Sequence, residues 1–298
     1  MRDVDWTDLR VFLAVAEAGQ IGRAAKSLGL DPTTLGRRLK RLEGRLDATL
    51  FERSRDGQSL TEAGTRLLAK VETMAEAAGS IAAGTSEKGG PAGNLRISVS
   101  EGFGSQFLTA YLSRFTSANP RLTVELIANS GFLSPSKREA DIAVMLSRPK
   151  AGPVMCRKLS DYSLRLYAST TYLARAGIPQ VPGDLRNGHD LISYVPELLY
   201  APELNYLRDF DSELSARIRS SSINAQHRLI TEGAGIGVLP DFIGSRTPGL
   251  EPVCGEKTIR RSFWLVTHKD TQGLARVRAG KEWLLRCVTE GRERLLPG

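Results

Sequence analysis

The chain has 298 residues, 41% hydrophobic and 25% charged, with a formal net charge of +8. That length suits roughly two domains with buried cores. The longest apolar runs fall short of the ~18 residues of a membrane-spanning helix, which excludes one. The opening residues, acidic at Asp3 and Asp5, lack the apolar core of an export signal. Cys156, Cys254 and Cys287 are odd in number and far apart. They argue against a disulfide framework or a clustered metal site and fit a reducing cytoplasm. The net charge is +2 over residues 1–60, +1 over 61–255 and +5 over 256–298. Bulk basicity therefore marks no DNA-binding arm, and any DNA contact must rest on a few placed cations.

In chain order, Leu9, Phe12, Leu13 and Ala16 form one face of a helix over 6–18 that ends at Gly19. A short helix follows over 21–28, with Ile21, Ala24, Ala25 and Leu28 inward, and Gly29-Leu30 makes a tight turn. Asp31-Pro32 is an N-cap followed by proline at the first helical position. It opens a third helix backed by Leu35, Leu39, Leu42 and Leu46. Residues 50–60 read as a hairpin turning at Asp56-Gly57. A long helix begins near Thr61. Leu60, Gly64, Leu67, Val71, Met74, Ala78 and Ile81 recur alternately every four and three residues, the period of a two-chain seam. Leu67, Val71, Met74, Ala78 and Ile81 are the expected dimerisation positions; packing onto the helix's own domain is the competing account. Residues 88–93 form a flexible hinge. From Asn94, strands at 94–100, 122–128, 141–146, 163–168, 191–194, 235–239 and 263–267 alternate with helical stretches, and 275–288 is a closing helix. This alternation predicts an α/β fold with a largely parallel sheet.

The first sixty residues thus read as an all-α winged helix-turn-helix. On the third helix Arg37, Arg38, Lys40, Arg41 and Arg45 stand against Glu43 alone. Arginine can grip guanine edges or phosphate, and threonine can reach bases. Thr33, Thr34, Arg37, Arg38 and Arg41, with Arg53 and Arg55 on the wing, are the candidate DNA contacts. A basic helix face alone is more often merely solvated; the turn, cap, wing and seam in order favour DNA.

The blocks Asp8–Gly19, Ala24–Leu28, Arg37–Glu43, Leu50–Arg53 and Leu60–Gly64 resemble the LysR-type transcriptional regulators, and the resemblance covers essentially the whole chain. It implies a bacterial regulator with a DNA-binding domain over 1–60, a linker or dimerisation helix over 61–87 and an effector-binding domain over 94–298. That domain would resemble a type 2 periplasmic binding protein. Lobe I would be 94–161 plus 264–298, and lobe II 162–263. The implied partners are an interrupted palindromic operator, a small-molecule effector and further copies of the chain as dimer and tetramer. RNA polymerase joins them if the protein activates; no membrane, metal or cofactor is implied. The family's base-contacting positions match Pro32, Thr33, Gly36 and Arg37. Pro32 and Gly36 depart from the glutamine and serine common there, which shifts base reading toward Thr33, Thr34 and Arg37. Gly36 also suggests close backbone approach to DNA.

By the same mapping the effector cleft is lined by Ser100, Glu101, Gly102, Phe103, Asn129, Ser130, Ser147, Tyr194, Asn224, Gln226 and Ile236. Glu101 stands where an effector's own carboxylate is often received. Either the effector is neutral or bears a donor or cation, or Glu101 simply caps the helix that follows it. Enzyme readings fail in context. Ser134-Pro135-Ser136-Lys137 lacks its companion motifs, and Gly233-Ala234-Gly235-Ile236-Gly237 does not follow a first strand. His189, His227 and His268 have no metal spacing. A solute-binding protein would leave the first 87 residues unexplained.

Overall fold

The computed structural model describes residues 4–54, 57–82, 90–129, 131, 135, 139–255 and 257–297. Ser130 and Arg55, and the Ser134 and Lys137 ends of the S-x-x-K segment, lie outside the described residues, as do the side chains of Arg53 and Ile81. Two compact units emerge, Met1–Gly90 and Pro91–Gly298.

The first unit opens with α1 (Trp6–Ala18), α2 (Ile21–Leu28) and α3 (Pro32–Leu46). The hairpin β1 (Phe51–Ser54) and β2 (Gly57–Leu60) follows, then α4 (Glu62–Ala82). Capping follows the sequence signals. Asp5 accepts the Thr7 amide at 2.8 Å, and Gly19 and Gly29 end α1 and α2 in left-handed conformation. The buried face of α1 is broader than the expected stripe. Asp8, Leu9, Val11, Phe12 and Val15 are buried, while Leu13 and Ala16 are only partly so. The cause is position: α1 is the central helix, packed by α2, α3, α4 and β2 together.

The seam on α4 needs a correction. Val71 is fully buried in the core of its own unit, and Leu60 and Leu67 pack against that core. Gly64 lies so close under the Leu50 carbonyl that a Cβ there would overlap it. The N-terminal half of the seam is therefore spent within the chain, because α4 docks along α1 before running on. Met74, by contrast, is 47% exposed.

The second unit begins with β3 (Gly93–Ser100), a π-helical turn over Phe103–Leu108, α5 (Thr109–Ala118), β4 (Leu122–Asn129) and β5 (Ile142–Met145). Next come β6 (Val154–Ser169), α6 (Thr170–Ala176), β7 (Leu191–Ser193), α7 (Tyr206–Phe210), β8 (Ile218–Arg219) and α8 (Ile223–Thr231). The chain ends through β9 (Ile236–Pro240), α9 (Asp241–Gly244), β10 (Leu250–Val253), β11 (Ile259–His268), α10 (Ala275–Glu290) and α11 (Arg292–Leu295). One sheet runs β4-β3-β5-β11-β6-β9-β7-β8, with β10 also on β6.

That sheet is mixed, not largely parallel. β3 pairs in parallel with β4 and β5, and β7 with β8 and β9, but every pairing of β6 and β11 is antiparallel. Both are crossover strands, longer than expected, shared by two lobes. The first half of β6 contains Arg157 and Lys158 and alternates in exposure, so no apolar run announces it. Pairing with β11 makes it a strand, and their register shifts between Phe263 and Trp264.

Candidate functional site

On α3, Asp31 accepts the Thr33 and Thr34 amides at 2.8 and 3.3 Å, so the helix start is capped from within and these hydrogen bonds lower the carboxylate's pKa. Leu35, Leu39 and Leu42 are buried. Thr33, Gly36, Arg37 and Lys40 then fall on the opposite face at helical spacing, with Thr33, Arg37 and Lys40 exposed. Neither Arg37 nor Lys40 makes an ion pair among the described residues. A Cβ at Gly36 would meet nothing within 4 Å.

The remaining cations of α3 are differently placed. Arg41 grips the fully buried carboxylate of Asp8 with two hydrogen bonds, one of 2.8 Å from Nε. Arg38 and Arg45 lie 3.8 and 3.9 Å from the same carboxylate. Glu43 is also occupied, accepting the Leu50 and Phe51 amides at 2.8 and 3.4 Å, which fixes the start of the wing. The Gln58 amide donates to the Gly19 carbonyl at 2.8 Å and ties the other wing strand to the end of α1. Asp8 and Glu43 thus orient the reading helix and its wing. In sequence both resemble charge merely diluting a basic patch.

In the second unit, a cavity of about 20 Å³ lies between the lobes, lined by Ser100, Gly102, Phe103, Leu146, Tyr162, Tyr194, Tyr200, Leu204, Tyr206, Ile223, Pro240, Phe242 and Phe263. It is room for about one water. Burial pushes the phenols of Tyr162, Tyr194, Tyr200 and Tyr206 upward, and the Glu101 charge adds to this at Tyr194 and Tyr200. All four therefore remain neutral donors. The Tyr162 hydroxyl is buried without a hydrogen bond of acceptable geometry, although the Tyr206 phenol is close enough to influence it.

Of the expected cleft residues, Ser100, Gly102, Phe103 and Tyr194 line this cavity, and Glu101 and Asn224 bond to each other beside it. Glu101 does cap a helix, but across the cleft. It accepts the Ser222 hydroxyl at 2.8 Å, the Ile223 amide at 3.0 Å and the Asn224 side-chain amide at 3.0 Å. Gln226 and Ile236 are buried away from the cavity: Gln226 donates to the Ser220 carbonyl at 3.1 Å, and Ile236 is a core residue of β9. Asn129 and Ser147 do not line it. Tyr162, Tyr200, Tyr206 and Phe242 come from separate segments with no shared spacing, so only folding reveals them. Ser222 carried a signal, being the N-cap of α8.

The cysteines are set back. Burial pushes Cys254 up to about 11 and Cys287 up to about 12, and raises Cys156. Among the described residues no group of His, Cys, Asp or Glu could hold a metal, and no helix is long and apolar enough to cross a membrane.

A winged helical reading head and a bilobal α/β domain define a one-chain transcriptional regulator. Residues 6–65 match the bacterial regulatory helix-turn-helix proteins of the lysR family, and residues 88–287 match the LysR substrate binding domain. The chain belongs to the LysR family, which comprises transcriptional regulators and not enzymes. It is similar to the Mau operon transcriptional activator of Paracoccus denitrificans, at 31% identity over 88% of this chain and 89% of that protein. It is also similar to the regulator PtxR of Pseudomonas aeruginosa, at 29% over 80% and 77%. Among solved structures, CrgA of Neisseria meningitidis, a LysR-type regulator, aligns with a TM-score of 0.58 and 26% identity over 95% of this chain and 99% of that one.

Proposed function

We propose that the protein reads an interrupted palindromic operator through α3 and that a small molecule bound between the lobes controls it. The observation that carries this is the outward face of α3, where Thr33, Gly36, Arg37 and Lys40 stand opposite three buried leucines. Pro32 and Thr34 flank the face, Arg38 borders it, and Arg53 and Arg55 on the wing supply backbone contacts. Arg41, held on Asp8, positions the helix instead of reading bases. The domain plan is a reading head over 1–60, a linker over 61–87, a hinge over 88–93 and an effector domain from 94, with 83–89 lying outside the described residues. Footprinting on genomic fragments selected by the purified protein tests the reading; protection without a repeated, symmetric sequence would overturn it.

The cleft offers apolar walls and neutral phenols, and Asn129, Ser130 and Ser147 are further candidate contacts for the effector. Its effector is an uncharged or donor-bearing small molecule. The working assembly is a cytoplasmic homodimer, paired further into a tetramer, joined along α4 beyond Val71, where Met74 is exposed and Ala78 and Ile81 continue the heptad in sequence. RNA polymerase is the further partner if the response is activation. Effector binding changes how the dimers pack and so the spacing of the reading heads. A coupling of about 1–3 kcal/mol changes operator affinity about 5- to 150-fold.

A further inference from the structure

We infer that Glu101 is a built-in ligand: the chain's own carboxylate fills the anion-binding start of α8 across the cleft, latches the lobes together without an effector and excludes carboxylate-bearing effectors there. Glu101 follows β3 in lobe I, and its three donors all belong to lobe II. One oxygen accepts Ser222 Oγ and Asn224 Nδ2, and the other accepts the Ile223 amide. The first-turn amide of a helix and its positive dipole end are the ordinary receptor for an acid group. Here that receptor is occupied by a group that cannot diffuse away.

Three further observations support the latch. Asn224 continues the contact, accepting from Gln106 Nε2 at 3.0 Å and donating to Ser105 Oγ at 3.2 Å. Gly102, next to Glu101, lets the lobes approach closely. A Cβ there would stand 3.1 Å from Ile243 Cδ1 and 3.2 Å from Ile223 Cγ2. The cavity behind the latch is about 20 Å³ and contains the buried Tyr162 hydroxyl without a hydrogen bond of acceptable geometry. Pockets for small molecules are typically ~300–1,000 Å³. A cavity this small admits an effector only if its walls part. Gly102, which adjoins Glu101, and Ile223, whose amide Glu101 accepts, both line it, so binding that widens the cavity strains or opens the latch. A free carboxylate would have to displace Glu101 and then remain beside its charge.

The inference rests on the cleft as the effector site, but its test uses no effector. Full-length wild type, Glu101→Ala and Glu101→Gln are melted in sodium acetate and in sodium chloride of equal ionic strength. Glu101→Ala is expected to melt a few degrees lower, and acetate to restore it saturably. Wild type and Glu101→Gln, whose side chains still fill the subsite, should not respond to acetate beyond chloride. Acetate stabilising all three alike, or leaving a folded Glu101→Ala unrestored, overturns the latch. If Glu101→Ala does not fold in chloride, its recovery in acetate supports the latch and its failure in both overturns it. Such a failure leaves the effector reading standing. That reading fails separately if substitutions deep in the cavity, such as Tyr162→Phe, leave every operator response unchanged.

Discussion

Arg37 and Arg41 are one helical turn apart, of the same chemistry, and do different work. Arg37 is exposed and faces away from the leucine core, whereas Arg41 is hydrogen-bonded to a carboxylate with no solvent exposure. Arg37→Ala should therefore cost about 1–3 kcal/mol of operator affinity in a gel shift and leave the melting temperature unchanged. Asp8→Ala should lower stability first, by about 1–3 kcal/mol in denaturant unfolding. The low side is expected because the Arg41 guanidinium is half exposed and partly screened. No local pattern marks Asp8 for this role, since an acidic residue early in a helix is ordinary; only the packing of α3 across α1 shows it. His227 makes a different prediction. Burial first, and Arg228 second, lower its pKa, and its Nε2 lies 2.8 Å from Thr247 Oγ1. The unfolded chain thus binds the proton more readily, so this histidine's contribution is complete above about pH 6.5 and is lost as pH falls through the unfolded value. The pH dependence of unfolding between about pH 5 and 7 should be shallower in His227→Gln.

For α3 the sequence was nearly sufficient: Asp31-Pro32 set the start and the leucine spacing set the buried face. What it left open was why Gly36 stands in mid-helix. The fold places nothing against it, so the glycine is not required by packing within the chain. Gly36→Ala should raise stability by up to about 1 kcal/mol through helix propensity. It should also weaken operator binding if DNA backbone approaches that face. Gly44→Ala, about two turns further along with equally open surroundings, should stabilise α3 without the loss of binding. Equal affinities for the two variants would remove Gly36 from the interface. For α4 the sequence was ambiguous, because a heptad pattern serves an intrachain core and an interchain seam equally well. The structure divides it, with Val71 inside and Met74 outside. Met74→Glu should shift the proposed dimer toward monomer in sedimentation velocity with little change in melting of the chain itself.

Composition puts a surplus of five positive charges over residues 256–298 and gives no reason for it. Much of it is internal wiring. Arg261 pairs with Asp209, and Arg276 with Asp141 at 3.5 Å. Lys257 donates to the Phe210 carbonyl at 2.6 Å, and Arg294 donates to the Gln106 carbonyl at 3.1 Å while stacked over Phe107. These partners lie roughly 50 to 190 positions earlier, which is why no window of sequence could pair them. The same distance hid Tyr162, Tyr200 and Tyr206 of the cavity, while the local signals of caps, turns and apolar runs located most helices and strands. Salt dependence separates the two populations of cations. Each phosphate contact adds about 0.9 to the slope of log affinity against log salt, by releasing a counterion. Lys40→Ala, on the reading face, should reduce that slope by about one. Arg261→Ala should leave it unchanged and instead lower the melting temperature of the second unit, because it removes a partner of Asp209 and no phosphate contact. A reduced salt slope for Arg261→Ala would mean that the C-terminal charge reaches DNA after all, and the reading head would no longer account for the electrostatics of binding alone.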